Sequence, residues 1–346
     1  MNSVRIFTRG RSHLHRLAIF LENQDLLSCL VVLWPRFKFK GVRKVKSLFL
    51  LDYLNSALNN SLLRLFSDYF ISEGHIHILD VNLLRYIREE SFKNIYVDMP
   101  TTFWAEQDRR WEREEKRTGI EIARRARAQD NLKDFDRYLE YAKGIIVPTD
   151  NCRASVPLVY RSKVLVLPFC GYGFDQSIQI EIPKKIKKIV CIGIVCPSKG
   201  NHLLIDYLGE IKGDFSIDFY GRVNVEFADY LRSISPETIE LNFHGHVSEA
   251  VLYKRVLEAD ICIHSSVSEG LPLSLLQVLK CGKLVFCSNA SNLSGIIPDV
   301  LIYDTYSKSD FISKFVNIKN LEDFMLDTKI LNNQRIEAQW KELVES

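Results

Sequence analysis

Long apolar stretches are missing from this chain of 346 residues. The longest early run, LLSCLVVLW at 26–34, falls far short of the roughly 20 residues that cross a bilayer. The opening residues, MNSVRIFTRGRSHLHRL, lack the continuous apolar core of a signal peptide, so a cytoplasmic protein, soluble or peripheral, is expected. Glycine and proline are few (16 and 10), and neither an internal repeat nor a low-complexity tract occurs. With 47% hydrophobic and 26% charged residues, the composition is that of a soluble globular protein. A net charge of +3 is too small to argue for a nucleic-acid partner, and none is expected. Zinc-site spacing is lacking too: Cys191 and Cys196 have no matching second pair and no histidine at finger spacing. Cys29, Cys191, Cys262 and Cys287 lie inside apolar runs, where a thiol behaves as a small hydrophobe. Reduced cysteines and no metal site are therefore expected, in keeping with the cytoplasm; no resident cofactor is expected either.

What the chain does have is alternation. Short apolar runs at 4–7, 29–33, 75–79, 94–97, 144–147 and 163–167 read as strands, as do 188–193, 216–220, 240–243, 261–264 and 284–287. Helical patterns fill many gaps, notably 202–211, 248–257, 272–280 and 332–345. Such alternation predicts parallel α/β sheet, and two such series predict two doubly wound, Rossmann-like domains. At 346 residues each can hold its own core. The expected division is a first domain over 1–172, a linker over 173–187, a second domain over 188–330, and a final helix over 331–346 returning to the first.

Charge is unevenly placed. Residues 106–139 are charged, mixed in sign and helical in character, which reads as a solvated helical hairpin. The chain's Asp-x-Asp, Asp134 and Asp136, falls in that hairpin, where the two carboxylates point apart; that argues against a metal-dependent site. The basic segment at 34–47 carries Arg36, Lys38, Lys40, Arg43, Lys44 and Lys46 among apolar residues. It reads either as a contact for an anionic membrane surface or as a solvated loop.

Ligands of open α/β sheets bind beyond the carboxyl ends of the strands, where loops enter helices. Three such loops stand out in the second half. In CIGIVCPSKGNHLLID a strand ends at Gly193, and Lys199 and Gly200 precede a helix. An ammonium beside free backbone N–H groups suits a diphosphate, although lysine before a helix is common. In NFHGHVSEAV, Gly245 allows close backbone approach and Ser248 can cap the next helix; the two histidines read as surface residues or as acid/base groups. The third loop is SEGLPLSLLQVLKCGKLVF, at 268–286. Pro272 suits a first helical turn and Gly282 the residue past its end. Glu269 sits at the mouth of that helix, a place acids commonly take for the dipole. Gln277 interrupts a helix apolar nearly all round, so it is expected to be a buried amide in need of partners.

Together these loops resemble the C-terminal domain of glycosyltransferase family 4, retaining enzymes of the GT-B fold. The motifs GIVCPSKG, GHV and EGLPLSLLQVLKCGKLVFCSN occur in the family's order and spacing over 189–304, with weaker echoes at 141–175. The resemblance implies two domains facing across a cleft, and no divalent ion. It implies transfer of a sugar, with retention, from a nucleotide-diphosphate sugar to a glycan or lipid-linked hydroxyl, in surface polysaccharide or glycoconjugate synthesis. Carried over residue by residue, Glu269 faces the transferred sugar and Lys199, with Gly193, meets the donor phosphates. Gly245, His246 and Val247 border the nucleobase, and Gly270, Leu271 and Pro272 approach the sugar and phosphates. Two positions depart from the pattern. Ile194 stands where an arginine partners the lysine, with Arg222 as a nearby substitute. Gln277 replaces a glutamate that holds the ribose hydroxyls. On the acceptor side, Gly10, Arg11, Ser12 and His13 occupy the first loop, and Asp98 stands closest to a position that often carries histidine. His13 and Asp98 are the acceptor-side candidates. An inactive GT-B relative acting as a binding or assembly partner and a nucleotide-sugar epimerase are the alternatives.

Overall fold

The computed structural model describes residues 3–8, 12–32, 41–47, 75–81, 83, 94–122 and 138–345. Gly10, Arg11, the pair Asp134 and Asp136, and the basic segment before residue 41 lie outside them. The chain separates into two compact units, Met1–Pro100 with Arg124–Gly173 and Asn333–Ser346, and Thr101–Ala123 with Phe174–Asn332.

In the first unit, β1 (Ser3–Thr8), β2 (Leu27–Val32), β3 (Val45–Ser47), β4 (His75–Asp80), β5 (Ile95–Asp98), β6 (Gly144–Val147) and β7 (Val164–Val166) form one sheet. Its order is β3-β2-β1-β4-β5-β6-β7, and every pairing is parallel. β5 and β6 are buried at every residue, the pattern of strands covered on both faces. The final helix, Asn333–Glu345, packs on this unit through Ile336, Trp340 and Val344, spaced four apart on one helical face. Its Trp340 indole donates a 3.0 Å hydrogen bond to the Pro168 carbonyl.

The second unit contains β8 (Ile178–Ile180), β9 (Lys188–Ile192), β10 (Phe215–Tyr220), β11 (Ile239–Gly245), β12 (Ile261–His264), β13 (Val285–Ser288), β14 (Ile302–Tyr303) and β15 (Phe324–Leu326). Six of these form a parallel sheet ordered β11-β10-β9-β12-β13-β14. Counted within the unit, that order is 3-2-1-4-5-6, the doubly wound arrangement whose direction of winding reverses between β9 and β12.

The expected division of the chain needs two corrections. The segment 173–187 is not a bare linker, because β8 lies in it and pairs antiparallel with β15 in the second unit. The helix Trp104–Thr118 is part of the second unit rather than the first, and it is not a solvated face. Trp104, Gln107 and Glu114 are buried along it. Glu114 accepts from His202 Nε2 at 2.7 Å, and both side chains are almost wholly buried. An isolated buried carboxylate would be costly, so this partner decides where the helix docks. Arg113 adds a guanidinium stacked 3.6 Å from the Tyr306 ring centre.

The eight cysteines are free thiols. Among the described residues no helix is long and apolar enough to cross a membrane, and no cluster of three or more His, Cys, Asp or Glu side chains is placed to hold a metal ion.

Candidate active site at the sheet reversal

The loops that leave β9 and β12 are neighbours because those strands pair directly. The loop after β9 passes Gly193, makes one tight turn at Pro197–Lys199 and reverses through Gly200 into the helix Asn201–Leu208. Gly200 is left-handed, with φ of 61°. A Cβ there would stand 2.0 Å from the Ser265 carbonyl oxygen, so no other residue allows this approach.

That approach lets the two loops bond along their length. Val267 N–H and the Ser266 hydroxyl donate to Ser198 O at 3.1 and 3.2 Å, and the Ser265 hydroxyl donates to Lys199 O at 2.9 Å. Lys199 is thereby aimed at Glu269, and its ammonium is paired with Glu269 Oε1. The Glu269 backbone is held separately. Its N–H donates to Ala290 O at 3.1 Å, and its carbonyl accepts from Thr102 Oγ1 at 2.9 Å and Asn292 Nδ2 at 2.6 Å. Arg110, on the helix Trp104–Thr118, donates to Val267 O at 3.1 Å.

Burial alone would raise the Glu269 pKa; the Lys199 ammonium and hydrogen bonds from Lys199 and Ser266 outweigh it and hold the carboxyl below its usual 4.5. The carboxylate is charged at neutral pH. His264, the last residue of β12, has its Nε2 3.5 Å from Glu269 Oε1. Burial, with the Lys199 charge adding to it and the Glu269 charge opposing, pulls its pKa down from 6.5 to about 4. The imidazole is neutral. His264 escaped sequence reasoning because it closes an apolar strand; its place at the carboxyl end of a central strand was the signal available.

The remaining candidates of the second unit lie around this pair. Gly270, Leu271 and Pro272 continue the Glu269 loop and are buried. Gly193 lines the pocket that also holds Lys199, Asn201, His264 and Ser265. Ile194 is 40% exposed. Arg222 is exposed on the adjoining loop, which the backbone ties to this one: Val195 N–H donates to Arg222 O at 2.8 Å. The two loops approach so closely that a Cβ on Gly221 would lie 2.0 Å from Gly193 O. Gly245 ends β11 with φ of 68°, followed by an exposed His246 and a half-buried Val247. His244 is engaged elsewhere, bonded to Asp218 Oδ1 at 2.6 Å and stacked on Tyr220.

Gln277 requires a correction. It is exposed, not a buried amide. The helix Leu273–Lys280 buries Leu275, Leu276, Val278 and Leu279 and turns Gln277 and Lys280 outward. A three-residue spacing gives one narrow solvent stripe, so the apolar neighbours do not imply burial of the amide.

In the first unit, His13 and Asp98 form a pair. His13 Nε2 lies 2.9 and 3.1 Å from the two Asp98 carboxylate oxygens, with Asp98 almost wholly buried and the His13 ring 4.2 Å from that of Phe169. Residues nominated separately from two loops thus meet at the carboxyl ends of β1 and β5.

Comparison with known proteins follows this geometry. Residues 174–335 match the family model for Glycosyl transferases group 1. No curated protein matches the sequence. Among solved structures, HepE of Anabaena in complex with UDP-glucose superposes with a TM-score of 0.66 at 12% identity, over 100% of both chains. The lipopolysaccharide outer core galactosyltransferase WaaB in its apo form gives 0.62 at 16% identity, over 99% of this chain and 95% of that one. A trehalose-6-phosphate protein from E. coli, bound with UDP-2-fluoro glucose, gives 0.60 at 10% identity, over 99% and 95%. The fold is that of GT-B glycosyltransferases.

Proposed function

We propose that this chain, whose residues 174–335 are a Glycosyl transferases group 1 domain, is a retaining glycosyltransferase that moves a hexosyl group from a UDP-sugar to a hydroxyl of a glycan or lipid-linked acceptor. One observation carries the reading: where the sheet reverses, an ammonium ahead of a helix N-terminus is paired with a largely buried carboxylate. The helix end and Lys199 suit a diphosphate, and the carboxylate suits the hydroxyls of a sugar. The UDP or UDP-sugar in the similar solved structures supports the choice of nucleotide.

In this mechanism the donor diphosphate takes Lys199 from Glu269. Lys199 and the N–H groups of the helix Asn201–Leu208 then bear the charge that develops on the leaving phosphate, so a divalent cation is not needed. Arg222, exposed beside Ile194, supplies a second cation to the diphosphate. Glu269, released, stabilises the positive charge that develops on the sugar. Gln277 takes the ribose hydroxyls, which its solvent-facing amide can do, and the turn at Gly245, His246 and Val247 borders the base. His13 and Asp98 are assigned to the acceptor side, where an imidazole oriented by a carboxylate can hold a hydroxyl.

Calorimetric titration with UDP and UDP-glucose tests the reading. Wild-type protein is expected to bind both, and Lys199→Ala and Arg222→Ala are each expected to weaken UDP by about tenfold or more, the worth of a charge-assisted phosphate contact. Labelled UDP-sugar should be consumed in EDTA. Binding without turnover would point to an inactive relative, for which the exposed Ile194 leaves room, and sugar inversion without release of UDP would point to an epimerase. A lipid-linked acceptor would bring the cytoplasmic enzyme, as a peripheral protein, to the inner face of a membrane. Co-sedimentation with liposomes should then rise with anionic lipid; a flat response removes that part of the proposal.

A further inference from the structure

The reaction proposed above leaves one proton unplaced: the acceptor hydroxyl must lose it as its oxygen bonds to the sugar. The first unit holds a group able to take it. Asp98 is 2% exposed, and among the described residues its carboxylate has one partner, the His13 ring. A carboxylate only accepts hydrogen bonds. The proton between them is therefore on His13 Nε2, 2.9 and 3.1 Å from the two Asp98 oxygens. Neutral imidazole carries a single N–H, which leaves a bare lone pair on Nδ1. That nitrogen has no hydrogen-bond partner among the described residues, and the His13 side chain keeps 11% of its surface exposed.

Two further sets of contacts fix what this lone pair can meet. The His13 ring lies 4.2 Å from that of Phe169, so with Nε2 held by Asp98 the ring is kept from turning and Nδ1 has one direction. The helix that starts here, Leu14–Asn23, already has its first N–H groups bonded. Leu14 N donates to Ser12 Oγ at 3.3 Å, and His15 N and Arg16 N donate to Ser12 O and His13 O at 3.1 Å each. Its own turn takes these donors, which a phosphate would need. A hydroxyl fits instead, since it brings a proton to the lone pair. Once the imidazole takes that proton, its new positive charge lies against the buried Asp98 carboxylate, which has no other ion-pair partner among the described residues.

We propose that His13 is a catalytic residue, the general base of the transfer, and that its Nδ1 takes the proton of the acceptor hydroxyl. In this step the acceptor O–H bond breaks toward Nδ1 and the oxygen bonds to the anomeric carbon. The bond from that carbon to the UDP phosphate breaks, its electron pair leaving with UDP. The imidazolium then passes its proton to solvent. This rests on the transfer reading above, and the test keeps the two apart.

The experiment follows labelled UDP-glucose with water and with azide as the nucleophile, in wild type, His13→Gln and His13→Asn. Azide brings no proton, so it needs no base. Gln keeps an N–H near the position of Nε2 for Asp98 and has nothing at Nδ1. Asn puts an amide near Nδ1, which can hold a hydroxyl but cannot take its proton. Wild type is expected to release glucose with water, and both variants about 10²-fold more slowly, with UDP affinity by calorimetry unchanged. Azide should then raise UDP release in the variants by about tenfold or more, giving glucosyl azide, and in wild type by less than about twofold. A wild-type rate with water in His13→Asn overturns the proposal, because the imidazole would then only hold the hydroxyl. So does an azide effect of one size in all three proteins. A parallel loss of UDP affinity in both variants overturns it too, since the pair would then only support the fold. A wild type that binds UDP-glucose yet releases no glucose has no proton to move, and counts against it equally. A wild type that binds neither UDP nor UDP-glucose overturns the donor reading itself.

Discussion

Glu269→Gln is expected to cut transfer by on the order of 10²- to 10³-fold in kcat while leaving UDP affinity unchanged or higher. The two effects have separate causes in the structure. The Glu269 backbone is fixed through its own N–H to Ala290 and its carbonyl to Thr102 and Asn292, none of which involves the carboxylate. An amide of the same shape therefore stays in place. What it removes is the charge. In the unliganded protein that charge competes with the donor diphosphate for the Lys199 ammonium, so its loss does not weaken UDP and can strengthen it. In the transition state the same charge faces a sugar that has become positive, and a neutral amide contributes much less there. The pH profile provides a second check. The folded pKa of Glu269 lies below 4.5, so its carboxylate is fully present above that value and is lost only as pH falls through the folded pKa. His264, at about 4, is neutral over the same range. Neither group should produce an acid limb between about pH 5.5 and 7 in kcat/KM, which reports the unliganded enzyme in which Lys199 still faces Glu269. Full kcat in Glu269→Gln would end the assignment of this carboxylate to the reaction.

How far the chain could be read without coordinates depended on how local each feature is. Lys199, Gly200 and Glu269 were legible because each sits in a short loop between a strand and a helix, and parallel topology then brings such loops to one end of the sheet. His13 and Asp98 were nominated from separate segments through the family resemblance, and they meet. Features that depend on a distant partner were not legible. Of the 15 residues of the helix Trp104–Thr118, Glu114 is buried because it meets His202, 88 positions later. Its own neighbours are charged and indicate solvent. β8 and β15 are three residues each, and nothing in either stretch names the other. Gln277 failed for a different reason: surrounding leucines are equally compatible with a buried helix and with one that keeps a single stripe outward.

Gly200→Ala is expected to reduce UDP affinity by on the order of 10²-fold or more and to lower the thermal midpoint by roughly 5–10 °C. Two costs combine at this position. Left-handed backbone costs a residue with a Cβ about 1–2 kcal/mol, and Gly200 has φ of 61°. The second cost is steric: the new Cβ would lie 2.0 Å from Ser265 O and 3.0 Å from Ser265 C. Backbone atoms cannot rotate aside as a side chain can. The Lys199 turn must lift from the end of β12, and the bond from Ser265 Oγ to Lys199 O goes with it. A displacement of about 1 Å at a positioned ammonium is enough for a loss of that size. Gly119 separates the two costs. It is also left-handed, with φ of 71°, yet a Cβ there meets nothing within 4 Å. Gly119→Ala should therefore lose about 1–2 kcal/mol of stability and bind UDP as wild type does. If Gly200→Ala behaved in the same way, the close approach of the two loops would be incidental to the donor site. If it binds UDP far more weakly while Gly119→Ala does not, the glycine is present because the lysine must reach the carboxylate, and the distance between those two charges is what the turn exists to set.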